Sequence, residues 1–168
     1  DDSPVCTLCG GEGYVGQTMC SCLQELCRQE QRRELSSFLP LGAERFEDFR
    51  LDLYSDAPDE VYGVSPRENM TRVFRTVRAW AQSFTLASPP LLFTGGTGLG
   101  KTFLSACVAR KVSDLGFSVV YETASRVVAD FEAEKFGHEP ELARTRKYLE
   151  CDLLILDALG TEMTTQFA

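Results

Sequence analysis

Between residues 65 and 84 the apolar positions Val73, Val77, Trp80, Ala81 and Phe84 recur at helical spacing, with charged residues filling the gaps. Ser65 is an N-cap residue, Pro66 suits the first helical position, and Glu68 stands three residues after Ser65 as in a capping box. The pattern predicts one capped helix. After "ASPP" the pattern changes to short aliphatic runs, "LLFT" (91–94), "FSVVYET" (117–123) and "DLLILD" (152–157), each predicting a strand. Between them, 101–116, 124–136 and 139–150 predict helices, the first closed by Gly116 at a C′ position. Near-continuous apolar strands alternating with helices predict βαβ units around a buried parallel sheet.

Upstream the pattern thins. Residues 23–38 have helical composition with sparse apolar positions, Leu23, Leu26, Cys27, Leu35 and Phe38. Residues 39–64 carry Pro, Gly and Asp breakers together with Phe46, Phe49 and Tyr54, which predicts a linker packed by its aromatics onto a neighbouring domain. Three parts follow: a Cys-rich module and helix (1–38), the linker (39–64) and an α/β core (65–168).

At 168 residues and 43% hydrophobic the chain can bury a core of its own. A net charge of −8 and a pI near 4.7 argue against a uniformly basic nucleic-acid binder and leave room for a local basic patch. No apolar run approaches the roughly 18 residues of a membrane span, and no signal-peptide core is visible, so a cytoplasmic location is expected. The chain opens on "DDSP" and stops at "TTQFA", which reads as two fragment boundaries.

"GGTGLGKT", Gly95 to Thr102, fits G-x-x-x-x-G-K-[ST]. The glycines (Gly95, Gly96, Gly98, Gly100), with Thr97 and Leu99, let the backbone curl so that its N–H groups face phosphate oxygens. Lys101 supplies a point charge to the β and γ phosphates of ATP, and the Thr102 hydroxyl coordinates Mg²⁺. A helix starting at Lys101–Phe103 turns its positive end to the same anion. A chance glycine turn would lack the strand before it and the helix after it, and here both are predicted.

The run 152–157 ends in Asp157, a carboxylate suited to hold Mg²⁺ opposite Thr102. Alone, an apolar run ending in Asp is as often an ordinary buried strand; the phosphate loop upstream favours the metal role. Hydrolysis also needs a group that orients water, and the next residue is Ala158. Glu162 is the nearest other candidate, against the plainer reading of a loop glutamate. Asp152, at the opposite end of the strand, reads as structural.

Cysteine is concentrated at the front. Cys6, Cys9, Cys20 and Cys22 form C-x2-C and C-x-C pairs ten residues apart, a pattern that suits a structural Zn²⁺ in a module without a core of its own. Four thiolates close the shell, so catalytic zinc is not expected. Cys27 reads as a spare thiol before a ligand replacing Cys20 or Cys22, and Cys107 and Cys151 read as core thiols. Arg72, Arg75 and Arg78, like Arg144, Arg146 and Lys147, read as solvated helix faces before nucleic-acid tracks, and His138 as a turn residue.

With "CTLCGGEGYV…CSC", "RFEDFRLDLYSD", "SPRENM", "LLFTGGTGLGKTFLS", "SVVYETA" and "CDLLILDALGTE" in place, the chain resembles the DnaC/DnaI/IstB-like branch of the AAA+ ATPases. The resemblance implies a RecA-like three-layer αβα core. It implies a loader that places a replicative ring helicase on single-stranded DNA, with a zinc module gripping the helicase and copies assembling through AAA+ interfaces. By position it assigns the phosphate loop to Gly95, Gly98, Gly100, Lys101 and Thr102, the metal acid to Asp157 and the zinc to Cys6, Cys9, Cys20 and Cys22. Two departures stand out: Ala158 where the family has a second acid, and an end before the sensor residue, arginine finger and lid. A transposition helper shares the same core; an ATP-sensing adaptor with little turnover is the reading Ala158 favours. A zinc co-chaperone fragment is suggested by C-x-x-C-x-G-x-G alone.

Overall fold

The computed structural model describes residues 6–38, 44–136 and 145–160. The first described strands form a small antiparallel hairpin, β1 (Tyr14–Val15) and β2 (Thr18–Met19), paired Tyr14↔Met19 and Val15↔Thr18. Two-residue strands carry too little alternation to announce themselves in sequence. Helix α1 (Ser21–Phe38) follows, begins two residues earlier than its composition suggests, and lies against the later elements α3 and β3.

The linker then makes two single 3-10 turns, Phe46–Asp48 and Leu51–Leu53. Its aromatics anchor it as expected. Phe46 is buried, and Phe49 stacks on Phe74 of the next helix with ring centroids 5.2 Å apart. Arg67 ties the same segment down, donating from Nε to the Tyr54 carbonyl at 3.0 Å and pairing with Asp56.

Helix α2 (Pro66–Gln82) starts where its capping residues place it, with Ser65 Oγ accepting the Glu68 N–H at 3.1 Å. Its inward residues Val77 and Ala81, with Phe84 just beyond the helix, meet Leu104, Cys107, Val108 and Val112 of α3 (Lys101–Asp114). Phe46 closes the same cluster, so the linker is part of the core. Trp80 covers one end and donates its indole N–H to the Pro89 carbonyl at 2.9 Å.

Strand β3 (Val119–Thr123), helix α4 (Ala124–Phe136), the short helix α5 (Arg146–Glu150) and β4 (Leu153–Asp157) complete the described chain. β3 and β4 pair in parallel, Val119↔Leu153 through Thr123↔Asp157, with α3 packed on them. This is the α/β arrangement the alternation predicted. Asp152 is structural, as expected: its Oδ2 accepts both the N–H (2.7 Å) and the hydroxyl (2.9 Å) of Ser118. Cys107 is fully buried, and burial pushes its thiol up to about 12. Cys151 is half-buried.

Two expectations are corrected. Residues 91–94 do not form a strand; no described strand runs beside them, so their backbone groups join no ladder. Phe93 still turns into the core while Leu92 stays 75% exposed, the in–out alternation of extended chain without its pairing. The helix expected over 139–150 is confined to Arg146–Glu150, and residues 137–144 lie outside the described residues. Among the described residues no helix is long and apolar enough to cross a membrane.

Candidate functional site

The phosphate-loop segment turns tightly between Gly95 and Gly100 and delivers the chain into α3 at Lys101. Gly100 is the N-cap at φ +85°, and the position is closed on both counts that matter. A Cβ there would adopt a conformation costing an L-residue roughly 1–2 kcal/mol. It would also stand 3.0 Å from Tyr54 Oη and 3.2 Å from the Phe49 ring. Tyr54 donates its hydroxyl to the Leu99 carbonyl at 3.1 Å, so the linker holds the loop from behind. Phe103, in the first turn of α3, packs on Phe49 with centroids 5.6 Å apart.

Lys101 bends back over the loop. Its Nζ donates to the carbonyls of Gly95 at 2.9 Å and Gly96 at 2.6 Å, so the ammonium already sits inside the curl. Thr102 and Phe103 are half-buried, while Gly95 to Leu99 are exposed. An exposed glycine curl with an ammonium against it, on the N-terminus of a helix, is an arrangement that can attract an anion.

At the C-terminal end of β4, Asp157 lies on the same sheet face as Ile155, which packs with Tyr121 and α3's Ala109. That face looks toward α3. Both carboxylate oxygens are held: Oδ1 accepts the Ala158 N–H at 2.9 Å, and Oδ2 accepts the Tyr121 hydroxyl at 2.9 Å. Tyr121 is buried, and that burial, with its bond to the carboxylate, holds its phenol well above the ordinary range. Ala158 has φ +59°, the one described non-glycine residue in the left-handed region. Glu162, the alternative water-handling acid, lies outside the described residues.

A second constellation stands at the N-terminus. The Sγ atoms of Cys6, Cys9, Cys20 and Cys22 all lie within 4.8 Å of one another, with Cys6–Cys20 at 3.9 Å and Cys9–Cys22 at 3.4 Å. Four sulfurs about 2.3 Å from a tetrahedral zinc stand about 3.8 Å apart, so the set fits. Exposed Cys27 is outside this group. N–H groups of Cys9 and Leu8 hold the Cys6 thiol down at about 6, and the Gly13 N–H, 3.3 Å from Cys9 Sγ, lowers Cys9 in the same way. Cys22 moves oppositely, to about 12, because its neighbours Cys9, Cys20 and Cys6 disfavour a further thiolate. Crowded thiolates beside a thiol that resists ionising are what a divalent cation neutralises.

The remaining sequence candidates separate cleanly. Arg78 pairs with Glu47 at 3.2 Å, Arg146 with Glu150 at 2.6 Å, and Lys147 stands 4.0 Å from Glu122. Arg72 and Arg75 sit on the exposed face of α2, and Arg144 and His138 lie outside the described residues. Two residues of the site carried no sequence signal. Tyr54 read only as an anchor and Tyr121 only as part of an aliphatic run; both act through hydroxyls whose partners are more than thirty residues away.

Residues 68–167, more than half of the chain, match the family described as IstB-like ATP binding protein. The chain is also similar to chromosomal replication initiator proteins DnaA. It is 36% identical over 81 residues to that of Aliarcobacter butzleri (46% of this chain, 18% of that protein). It is 32% identical over 85 residues to that of Helicobacter pylori strain Shi470 (51% and 18%) and 33% over 84 residues to that of Campylobacter concisus (50% and 19%). The chain thus spans about a fifth of the length of these relatives. No solved structure matches it.

Proposed function

The chain belongs to the IstB-like ATP-binding protein family, and from that premise we propose that it is an AAA+ helicase-loader-type protein whose partner contacts are switched by ATP. The observation that carries this is the loop itself: Lys101 inside a glycine curl, on a helix N-terminus, beside a strand that ends in Asp157. In this reading the loop from Gly95 to Thr102, with Phe103 beneath it, holds the ATP phosphates and Lys101 meets the β and γ groups. Thr102 and Asp157 hold Mg²⁺, which supplies charge neutralisation between the phosphates. The Cys6, Cys9, Cys20 and Cys22 set holds Zn²⁺ and gives the small hairpin its shape.

The hairpin supports the partner half of the proposal. Leu8, Tyr14, Val15 and Met19 are exposed around the cysteine cluster, an apolar surface on a module with almost no interior. In a loader this surface meets a DnaB-type replicative ring helicase, while the nucleotide-binding core meets single-stranded DNA. Size-exclusion chromatography of the complete protein with such a helicase, with and without MgATP, tests this. Nucleotide-dependent co-elution that is lost in Cys9→Ser is expected; a helicase that elutes alone under both conditions removes the loader reading. The same experiment with a transposase examines the transposition-helper alternative.

Ala158 favours a second reading, an ATP-sensing adaptor that binds nucleotide and turns over little. The left-handed backbone at 158 is one that aspartate tolerates better than most residues, so Ala158→Asp is expected to fold. If the missing acid limits cleavage, single-turnover hydrolysis by the complete protein rises roughly 10²–10⁴-fold in Ala158→Asp, the range for a positioned general base. Equal rates in the two proteins would show that a missing acid at position 158 is not what limits cleavage.

A further inference from the structure

We propose that Tyr121 is a positioning residue for the metal-holding carboxylate: its buried hydroxyl fixes Asp157 in the orientation that Mg²⁺ requires. The proposal rests on the ATP–Mg²⁺ reading above and adds to it a residue that touches neither nucleotide nor metal.

The register makes the contact specific. Tyr121 pairs with Ile155 and Asp157 with Thr123, so Tyr121 and Asp157 share one face of the parallel pair and stand diagonally across the ladder. The ring is 6% exposed and packs against Ala109 of α3 with Val119 and Ile155 around it, so it has no room to swing aside. Its hydroxyl meets Asp157 Oδ2 at 2.9 Å while the Ala158 N–H holds Oδ1 at the same distance. One donor on each oxygen fixes the carboxylate plane. Each oxygen keeps a second lone pair, enough to take a metal ion or its bound water.

The other side of the phenol connects to the phosphate loop. Ser105 lies against the Tyr121 hydroxyl and donates its own to the Lys101 carbonyl at 3.0 Å, one turn below the loop. The two halves of the metal site, the start of α3 and the end of β4, are therefore joined through one phenol. A plainer account is that Asp157 merely satisfies a buried tyrosine, since such hydroxyls usually find a partner. The two accounts predict different losses. A satisfied hydroxyl, when removed, costs stability alone; a positioning group, when removed, costs metal affinity, typically 10–100-fold where the partner orients a ligand.

The experiment is a Mg²⁺ titration of the complete protein with a fluorescent ADP analogue, read as binding with no catalytic turnover, alongside the same affinity in EDTA. Tyr121→Phe, which keeps the ring, is expected to raise the Mg²⁺ midpoint about tenfold and leave the EDTA affinity unchanged. Tyr121→Met, which fills similar volume without a hydroxyl, carries the same expectation should the first variant be poorly folded. Asp157→Asn should remove the Mg²⁺ response, and Tyr121→Phe added to it should cost nothing more. An unchanged midpoint in Tyr121→Phe, or equal losses with and without Mg²⁺, overturns the proposal while leaving the metal site standing. A Mg²⁺ response that survives Asp157→Asn overturns the metal-site reading and the proposal with it.

Discussion

Lys101→Ala is expected to lower the affinity for MgATP by two to four orders of magnitude, to the point where calorimetry detects no binding. In the proposed phosphate site the lysine would reach the anion through charge-assisted hydrogen bonds worth about 1.5–3 kcal/mol each. Two of them amount to about 3–6 kcal/mol, or roughly 10²–10⁴ in affinity. The ammonium already lies inside the curl, 2.9 and 2.6 Å from the Gly95 and Gly96 carbonyls, so binding swaps those acceptors for phosphate oxygens with little movement of the stem. Lys101→Arg is expected to recover little, because a planar guanidinium cannot occupy the point position of an ammonium. Unchanged affinity in Lys101→Ala would remove the phosphate-loop assignment. The core should not suffer, since Lys101 lies outside the apolar cluster that joins α2 to α3.

The second large effect concerns the cysteines. Metal analysis is expected to find about one zinc per chain, and its removal by a chelator should unfold the N-terminal hairpin while α2 and α3 remain packed. Of the hairpin residues only Gly13 and Cys20 are buried, and strands of two residues cannot hold themselves together. Zinc bound to such a peptide contributes an apparent ~10–16 kcal/mol, far beyond what the apolar contacts here supply. Cys9→Ser should therefore lose both metal and hairpin, seen as rapid amide exchange over residues 6–20 with protection kept in α3. The pH dependence has a definite sign. Cys6 is held down to about 6 in the folded state, so its contribution is fully present above the ordinary thiol pKa and is lost as pH falls through about 6. Cys22 is pushed up to about 12, so metal binding must displace its proton, and metal affinity falls as the solution becomes more acidic. A hairpin that stays protected in the absence of metal would refute the zinc assignment.

Much of this architecture was legible in the sequence because it is local. The cap at Ser65, the glycine curl before Lys101 and the apolar run ending at Asp157 each depend on residues within a few positions of one another. The cysteine spacing is nearly as local, and the four thiols converge as the spacing suggested. The pattern missed what depends on partners far along the chain. Residues 91–94 have strand composition, yet a strand exists only where a neighbour accepts its hydrogen bonds. Tyr121 faces Asp157 because of a register that no periodicity in either segment announces. Tyr54 supports the loop from forty-five residues upstream of Leu99, a distance across which composition carries no information. The fold class therefore lies in local pattern, while the residues that hold the site in shape depend on contacts between distant parts of the chain.

β4 is paired with β3 on one side only among the described residues, and its other edge carries the backbone of a Leu- and Ile-rich run. Leu156 and Leu159 are exposed there, and Leu92 projects from another unladdered segment. Such an edge is a template for a strand from any source, including a second copy of the same chain. The consequence is colloidal: wherever that edge stays uncovered in solution, copies are expected to associate edge to edge as concentration rises, and a net charge of −8 opposes their approach. Added salt, which screens that repulsion, would then cloud a solution that stays clear at low ionic strength.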